Sequence, residues 1–480
     1  MKNKNLRNLI IIMVGLLLVI FVGIIFSSKD SKAIASNKNR VITILDNEGN
    51  EIYSTTEKLN SSLDSEIIIS DNGVADSIIS QVINDVQVNM GYSREEAIDL
   101  LNGENYKIYS TINMKVQEQL DKSFNDRSTF TSTKKSEFNQ SAMVIMDYEG
   151  NVIAVATGNN SDNTKNRAST ELIKVGSTIK PVAIYAPAID KDIVNFSTII
   201  NDVPGSTFYN GQSIAWPTNY DNRYESNVTI TDALKKSKNT VAVEVGRMVG
   251  EDESFSFLRD KLGYSTLVES GIHDDDKQLS ALALGYFAEG VTLDTLVASY
   301  SMFGNGGYYG GKKYYTDLKD NDGNIILSNN TKKVEVISEE SATIMNRLLF
   351  NNITEEDSII KNIKIDGVEI LGKTGTVGND NGDNVSQLFV GMTPDYITGI
   401  WVGYDDNRAI TREGYKAPTE IWQSIMNNME FNNHNFKLSN NVYKFDYCSD
   451  SGLLKSDNCK NIKIGYYKES SVPVTCNSCK

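Results

Sequence analysis

Ser177 and Lys180 stand three residues apart in the segment VGSTIKP. A serine hydroxyl becomes an effective nucleophile when a base lies within reach of its proton, and a neutral lysine amine can be that base. Residues three apart share one face of a helix, so the two side chains lie side by side if the segment is helical. The spacing therefore predicts a serine nucleophile that is activated by lysine.

The residues around Pro181 predict that a helix begins here. Residues 182–189 would place apolar side chains on nearly every face of a helix, which is typical of a helix buried in a large domain. Proline has no amide hydrogen for an interior turn, so the helix should begin close to Ser177 and place it at the positive end of the helix dipole. The spacing alone is weak support, because Ser132 and Lys135 repeat it in a polar stretch.

The segment KTGT is a second candidate for chemistry, and it follows two apolar residues in a predicted strand over 368–376. There Gly375 would let a substrate backbone approach closely, Thr374 and Thr376 would offer hydroxyl groups, and Lys373 would offer a positive charge. An ordinary strand end explains the segment equally well when it is taken alone.

Ser237 and Asn239 form a Ser-x-Asn motif within residues 231–249, which are predicted to be helical. The same pattern recurs elsewhere, for example at Ser123 and Ser456, so it gains weight only from its position. The specific signal is the order of the three motifs along the chain, on a helix, a second helix and then a strand.

Composition excludes several classes of function. The chain of 480 residues carries 47 Lys and Arg against 62 Asp and Glu, a net charge of −15 that argues against binding nucleic acid. Only two histidines are present, His273 and His434, and they are far apart in sequence. A Ser-His-Asp triad or a multi-histidine metal site is therefore not expected, and no cofactor or active-site metal is predicted.

The N-terminus predicts a membrane anchor. Residues 9–26 are apolar apart from glycine, and Lys2, Lys4 and Arg7 precede them, which predicts one spanning helix with its N-terminus in the cytoplasm. A cleaved signal peptide is the alternative, because residues 33–35 read Ala-Ile-Ala, but the apolar run is longer than the usual signal core. Everything after the anchor is then expected outside the cytoplasm.

The remaining chain reads as strands, then helices, then strands, which indicates an α+β fold. Alternating patterns predict a hairpin over 140–157 and neighbouring antiparallel strands at 388–392 and 396–404. Taken with the motifs, the chain resembles the transpeptidase domain of class A penicillin-binding proteins over roughly residues 106–429. The supporting stretches are YKIYSTINMKVQEQL, SALALGYFAEGVTLDTLVASYSMFGNGG and ITGIWVGYDD.

This resemblance implies a β-lactamase-like fold, with helices flanking a five-stranded antiparallel sheet, and an enzyme that cross-links peptidoglycan stem peptides ending in D-Ala-D-Ala. Ser177 would form the acyl-enzyme with Lys180 as its base, and β-lactams would acylate the same serine. By the same resemblance, Ser237 would relay protons, Asn239 would orient Lys180 and the substrate amide, and Lys373 would complete the catalytic set.

The resemblance assigns the substrate carboxylate to Lys373, Thr374 and Thr376, with Gly375 beside them. The oxyanion would be held by the backbone N–H groups of Ser177 and Thr376. Transfer to an amine and hydrolysis by water use the same residues, so a D,D-carboxypeptidase or β-lactam hydrolase remains an alternative. A non-catalytic β-lactam sensor or scaffold is the alternative from another class.

Three departures from the family pattern stand out. The acidic EDxxFxxH-type motif of a glycosyltransferase is absent between the anchor and GYSREEAIDLLNGENYKIYSTIN, so a monofunctional transpeptidase with a separate glycan polymerase as partner is expected. Residues 377–387 are expected to form a long loop beside the site, followed by Leu388 where tryptophan is common. Lys238 and Thr240 are interpreted as tolerated changes at the surface or one layer behind the site.

The expected division is a cytoplasmic tail over 1–8, the spanning helix over 9–26, a linker and small unit over 27–105, the transpeptidase domain over 106–435 and a cysteine-containing tail over 436–480. All four cysteines lie in that tail, at 448, 459, 476 and 479. Outside the cytoplasm an even number of cysteines favours disulfides, although Cys476-x-x-Cys479 also fits a zinc knuckle, and free thiols are the third alternative.

Overall fold

The computed structural model describes residues 41–59, 72–103, 105–133, 139–159, 165–209, 212–269, 275–360, 362–379 and 381–479. The predicted anchor over 9–26 lies outside these ranges. Within them, no helix combines the length and the apolar character needed to cross a bilayer.

The strands and helices of these ranges are numbered in chain order. The strands are β1 (Ile42–Leu45), β2 (Glu51–Thr55), β3 (Tyr106–Ser110), β4 (Gln140–Met146), β5 (Val152–Ala156), β6 (Ile199–Asp202), β7 (Gly205–Tyr209), β8 (Gln212–Trp216), β9 (Ser226–Thr229), β10 (Tyr308–Tyr309), β11 (Tyr315–Lys319), β12 (Ile325–Ser328), β13 (Val334–Glu335), β14 (Leu371–Gly378), β15 (Asn384–Met392), β16 (Ile397–Gly403), β17 (Val442–Cys448) and β18 (Ile462–Lys468). The α-helices are α1 (Gly73–Met90), α2 (Arg94–Leu101), α3 (Met114–Asn125), α4 (Ala186–Asp190), α5 (Ile230–Lys235), α6 (Asn239–Val249), α7 (Glu251–Ser256), α8 (Leu279–Leu282), α9 (Leu293–Ser299), α10 (Glu339–Thr354) and α11 (Pro418–Met426).

The central sheet has the order β14-β15-β16-β4-β5, and every neighbouring pair is antiparallel. Helix α9 packs on β16 and β4, α11 packs on β15 and β16, and α3 packs on β5. The predicted five-stranded antiparallel sheet flanked by helices is therefore confirmed, as are the hairpin over 140–157 and the strand neighbours after residue 388.

Both faces of this sheet are buried, as strand β4 shows. Its Ala142, Val144 and Met146 belong to the larger hydrophobic core, whereas Met143 and Ile145 belong to a smaller core on the opposite face. Successive side chains of a strand point to opposite faces, so one continuous apolar run serves two cores.

A second sheet has the order β12-β11-β3-β1-β2, in which β1 and β3 are parallel. It joins the N-terminal hairpin β1-β2 to strands that lie much later in the chain. A capping box begins α2, with the Ser93 side chain and the Glu96 side chain each bonded to the other residue's backbone N–H.

The chain around Pro181 is helical, but not uniformly so. A 3₁₀ turn covers Gly176–Ile179, a wider π turn covers Pro181–Tyr185, and α4 completes the segment. Because proline has no N–H to give to the preceding turn, the change of helix type falls at Pro181. The prediction that the helix begins close to Ser177 is confirmed.

Two local predictions are wrong. Residues 231–249 do not form one helix, because α5 and α6 are separated by a turn in which Ser237 has a left-handed φ of 55°. Residues 377–387 are largely a hairpin and not a long loop, since Val377 pairs with Ser386 and the ladder of β14 and β15 runs on to Gly378. The hydrogen-bonded pairing of β14 with β15 extends beyond the apolar residues from which the strands were predicted.

Candidate active site

Ser177 lies in the 3₁₀ turn and is half-buried, between the buried residues Gly176 and Thr178. The Thr178 hydroxyl donates to the carbonyl oxygen of Val175 at 2.6 Å, and the Tyr300 hydroxyl donates to the carbonyl oxygen of Thr178 at 2.5 Å. The buried Tyr300 thus fixes the turn from the core side, and Ser177 stays partly accessible to solvent.

The turn lies directly against strand β14. A methyl group at Gly176, which has φ 54°, would stand 2.6 Å from the carbonyl oxygen of Thr376, and one at Gly375 would stand 2.5 Å from the carbonyl oxygen of Val175. Contacts that short are not tolerated, so both positions require glycine. The backbones that carry Ser177 and Thr376 are consequently in contact.

Gly285 closes the other side of the same turn. Its φ is 73°, a methyl group there would lie 2.3 Å from the carbonyl oxygen of Gly176, and its own carbonyl accepts a hydrogen bond from Val175 N–H at 3.3 Å. Gly285 belongs to the stretch SALALGYFAEG, but nothing in the sequence separates it from other glycines. Its role depends on a contact between distant parts of the chain.

Lys180 is fully buried, and its amine reaches the Ser-x-Asn motif. The Nζ atom donates to the carbonyl oxygen of Ser237 at 2.8 Å and to Oδ1 of Asn239 at 2.6 Å. The Asn239 amide nitrogen donates in turn to the carbonyl oxygen of Thr218 at 2.8 Å, which fixes the oxygen toward the lysine.

Lys373 reaches the same serine from the strand. It is buried, with 1% exposure, and its Nζ atom donates to the Ser237 hydroxyl at 2.9 Å and to the carbonyl oxygen of Thr374 at 3.1 Å. Ser237 therefore lies between the two lysines, one bonded to its carbonyl and the other to its hydroxyl. Thr374 is half-buried and Thr376 is exposed, so this end of the site is open.

Burial governs the charge of both amines. Removal from water lowers the pKa of Lys180 far below its ordinary value, and the charge of Lys373 lowers it further. Burial alone lowers the pKa of Lys373 to about 7. A neutral Lys180 beside a charged Lys373 is the arrangement that suits a base next to an anion-binding group.

Ser237 is held in its left-handed conformation by the residues that follow it. Lys238 is buried, and its Nζ atom lies 3.1 Å from Oδ2 of the fully buried Asp202. Asp202 also accepts from the Thr240 hydroxyl at 2.5 Å and from the Asn219 side chain at 2.7 Å.

Asn219 completes this network, because its Oδ1 accepts from Asn239 N–H at 2.8 Å. Lys238 and Thr240 therefore support Asn239 from one layer behind the site, which is the second of the two positions that the sequence suggested, and their burial excludes a surface position. Sequence reasoning missed Asp202, the last residue of β6, and Asn219, which lies in an irregular stretch, since neither belongs to a recognisable motif.

The structure thus places all eight predicted site residues on three elements that are in contact, which are the helical segment around Pro181, the junction of α5 and α6, and strand β14. The residues are Ser177, Lys180, Ser237, Asn239, Lys373, Thr374, Gly375 and Thr376. A half-exposed hydroxyl, a buried amine of lowered pKa, a bridging serine and a second amine can carry out acyl transfer to a serine. The lysine, serine and asparagine side chains at its centre are not a typical ligand set for a metal ion.

Comparison with known proteins agrees with this chemistry. The family described as "Penicillin binding protein transpeptidase domain" matches residues 141–427. Penicillin-binding protein 1A of Clostridium acetobutylicum is 32% identical over 73% of this chain and 43% of its own length. Penicillin-binding protein 1F of Bacillus subtilis is 27% identical over 77% of this chain and 49% of its own length. The chain spans about half the length of the curated relatives it matches.

Two solved structures share the fold. Penicillin-binding protein 1A of Haemophilus influenzae superimposes with a TM-score of 0.64 at 19% identity, covering 85% of this chain and 77% of that one. PonA1 of Mycobacterium tuberculosis, solved in complex with penicillin V, superimposes with a TM-score of 0.57 at 18% identity, covering 73% of this chain and 91% of that one.

The buried pair formed by Lys238 and Asp202 generates a stability prediction. Asp202→Ala should lower the free energy of unfolding by about 3–5 kcal/mol, because it removes the buried carboxylate that pairs with the Lys238 ammonium and leaves only the more exposed Glu225, at 3.5 Å. Chemical denaturation measures the change. The exposed Asp221, in the irregular stretch between β8 and β9, provides the control Asp221→Ala, which should change stability by less than about 0.5 kcal/mol. Equal effects of the two substitutions would contradict the interpretation.

Proposed function

Because the chain belongs to the penicillin-binding protein transpeptidase family, we propose that it is a serine D,D-transpeptidase that cross-links peptidoglycan stem peptides through an acyl-enzyme. The observation that carries the proposal is the meeting of Lys180 and Lys373 on Ser237, beside the half-exposed Ser177. Residues 106–435 would form the catalytic domain.

In the acylation step, Ser177 attacks the carbonyl carbon of the penultimate D-Ala. Neutral Lys180 accepts the hydroxyl proton, which its lowered pKa permits and which the Asn239 oxygen favours by accepting a hydrogen bond from the amine. The peptide bond breaks, and the departing D-Ala takes a proton that Ser237 relays. An amine from a second stem peptide then attacks the acyl-enzyme and restores the serine hydroxyl.

The negative charges of the reaction need their own partners. The oxyanion would bind the backbone N–H groups of Ser177 and Thr376, whose backbones are in contact. The terminal carboxylate of the donor would bind Lys373, Thr374 and Thr376. Because Lys373 is buried, its charge acts through a medium less polarisable than water, which strengthens the attraction.

The setting of this reaction is part of the proposal. The apolar segment over 9–26 would anchor the chain in the membrane and place the catalytic domain outside the cytoplasm, where stem peptides are cross-linked. A separate glycan polymerase would supply the strands to be joined. β-Lactams would compete as donors, because their acyl-enzymes form on the same serine.

The first prediction concerns the nucleophile. Incubation with a penicillin should add one drug molecule to the intact protein, and Ser177→Ala should abolish the adduct, as intact mass spectrometry would show. Ser132→Ala is the matched control, because the exposed Ser132 begins the other Ser-x-x-Lys segment and should acylate normally. An adduct that persists without the Ser177 hydroxyl would refute the assignment.

The pH dependence of acylation follows from the two lysines. The second-order rate constant with a penicillin should fall at acid pH as Lys180 gains a proton, and fall again above about pH 7 as Lys373 loses the charge that attracts the drug carboxylate. The rate constant for an uncharged, serine-directed fluorophosphonate should fall at acid pH but should not fall above about pH 7, because this reagent has no carboxylate for Lys373 to attract. A rate that still rises where ordinary lysines titrate would contradict a lowered pKa for Lys180.

A third prediction separates transfer from hydrolysis. Given a stem pentapeptide ending in D-Ala-D-Ala, the purified protein should form cross-linked dimers only when an amine-bearing stem peptide is present, as liquid chromatography with mass detection would show. Release of D-Ala with no dimer at any acceptor concentration would identify a carboxypeptidase. Ser177→Ala should eliminate both products, which controls for contaminating enzymes.

A further inference from the structure

The C-terminal tail contains a cluster of cysteines far from the catalytic motifs in sequence. Strands β17 and β18 form an antiparallel hairpin, with Cys448 at the end of β17 and Cys459 shortly before β18. Cys476 and Cys479 follow the hairpin. A chain reversal after β18 brings them back to the loop between the two strands, where the Cys476 N–H donates to the carbonyl oxygen of Leu454 at 2.7 Å.

The four sulfur atoms surround one point. All of them lie within 4.8 Å of one another, and Cys479 Sγ is 3.5 Å from both Cys448 Sγ and Cys476 Sγ. Four sulfurs at the zinc–thiolate distance of about 2.3 Å in a tetrahedron would be about 3.8 Å apart. A disulfide instead requires about 2.0 Å and joins the sulfurs in separate pairs. None of the four cysteines is in a disulfide.

Hydrogen-bond donors point at the cluster. The Ser451 hydroxyl donates to Cys476 Sγ at 3.2 Å, and the Ser456 N–H donates to Cys459 Sγ at 3.3 Å. Such donors stabilise thiolate ligands and orient them, as the outer partners of metal sites do. Cys448 and Cys476 are buried, so the cluster is partly shielded from water.

We propose that Cys448, Cys459, Cys476 and Cys479 bind one zinc ion in a tetrahedral, structural site. Four soft thiolates suit zinc, and a site closed by four protein ligands leaves no position for a substrate or a catalytic water. Each thiol gives its proton to solvent as the metal binds, and nothing is oxidised or reduced. This replaces the disulfides that the even number of cysteines favours in sequence, and it is independent of the proposed catalytic activity.

The hairpin that the ion would tie together packs against the catalytic helical segment. Lys468 Nζ donates to the carbonyl oxygen of Ile189, near the end of α4, at 2.7 Å. The Ser197 hydroxyl donates to the carbonyl oxygen of Gly452 at 2.6 Å and accepts from the Tyr467 hydroxyl at 2.8 Å. The zinc site would therefore support the far end of the segment that begins with Ser177.

The same hairpin contacts the helix that leads to Ser237. Lys463 Nζ lies 2.7 Å from Asp232, whose carboxylate is also 2.8 Å from the fully buried Lys235 at the end of α5. Asp232 and Lys235 lie five and two residues before Ser237. The hairpin therefore supports both helical elements of the site. Loss of the metal should accordingly weaken the whole domain as well as the tail.

The test measures metal and thiols in the full-length protein purified without added chelator. Elemental analysis should find about one zinc per chain, and alkylation in denaturant with EDTA but no reductant should modify all four cysteines. Replacement of zinc by Co²⁺ should give the intense visible bands of tetrahedral cobalt thiolate. Removal of the metal should lower the melting temperature, and added Zn²⁺ should restore it.

Variants supply the matched comparison. Cys476→Ser should lose zinc, whereas Ser478→Ala, an exposed change between Cys476 and Cys479 that removes no sulfur, should retain it. If Cys476→Ser does not fold, the metal and thiol counts of the unaltered protein decide alone. Two disulfides in the protein as isolated overturn the proposal, even if the reduced protein binds metal, and so does a reduced protein that binds neither Zn²⁺ nor Co²⁺.

Discussion

Two lysine amines buried within hydrogen-bond distance of one serine impose the main constraint on this molecule. Two positive charges so close together in a poorly solvated place cannot both persist, and burial lowers the pKa of both Lys180 and Lys373. Other interactions in the fold must therefore offset the free-energy cost of burying both lysines. In return, one amine is available as a base at a pH where a surface lysine is charged.

The rest of the site maintains that arrangement. Ser237 presents its carbonyl oxygen to one lysine and its hydroxyl to the other from a left-handed backbone conformation, which costs free energy in a residue other than glycine. The buried ion pair between Lys238 and Asp202 directly follows that residue and links it to β6. A strained residue and its ionic support are thus neighbours in the chain.

Close backbone contact is the second requirement. The turn of Ser177 is packed between strand β14 and Gly285, and glycines at 176, 285 and 375 make both contacts possible. Behind it, the tail hairpin binds the end of the same helical segment through Lys468. Ser177, the proposed nucleophile, is therefore fixed by strand β14, by Gly285 and by the contacts at the far end of its own helical segment.

Much of the candidate site and of its sheet follows from the sequence, including the three motifs and their order along the chain. Residue types and short-range spacing predict Ser177 at the start of a helix, the strand that carries Lys373 and the antiparallel sheet, because helix starts and strand alternation depend on neighbouring residues. Four features emerge only from the folded chain: the turn at Ser237, the burial of Lys238 against Asp202, the hairpin over 377–387 and the single cluster of four sulfurs. Each of these depends on residues that are distant in the chain and meet only when the core has formed, and a local pattern carries no information about such partners.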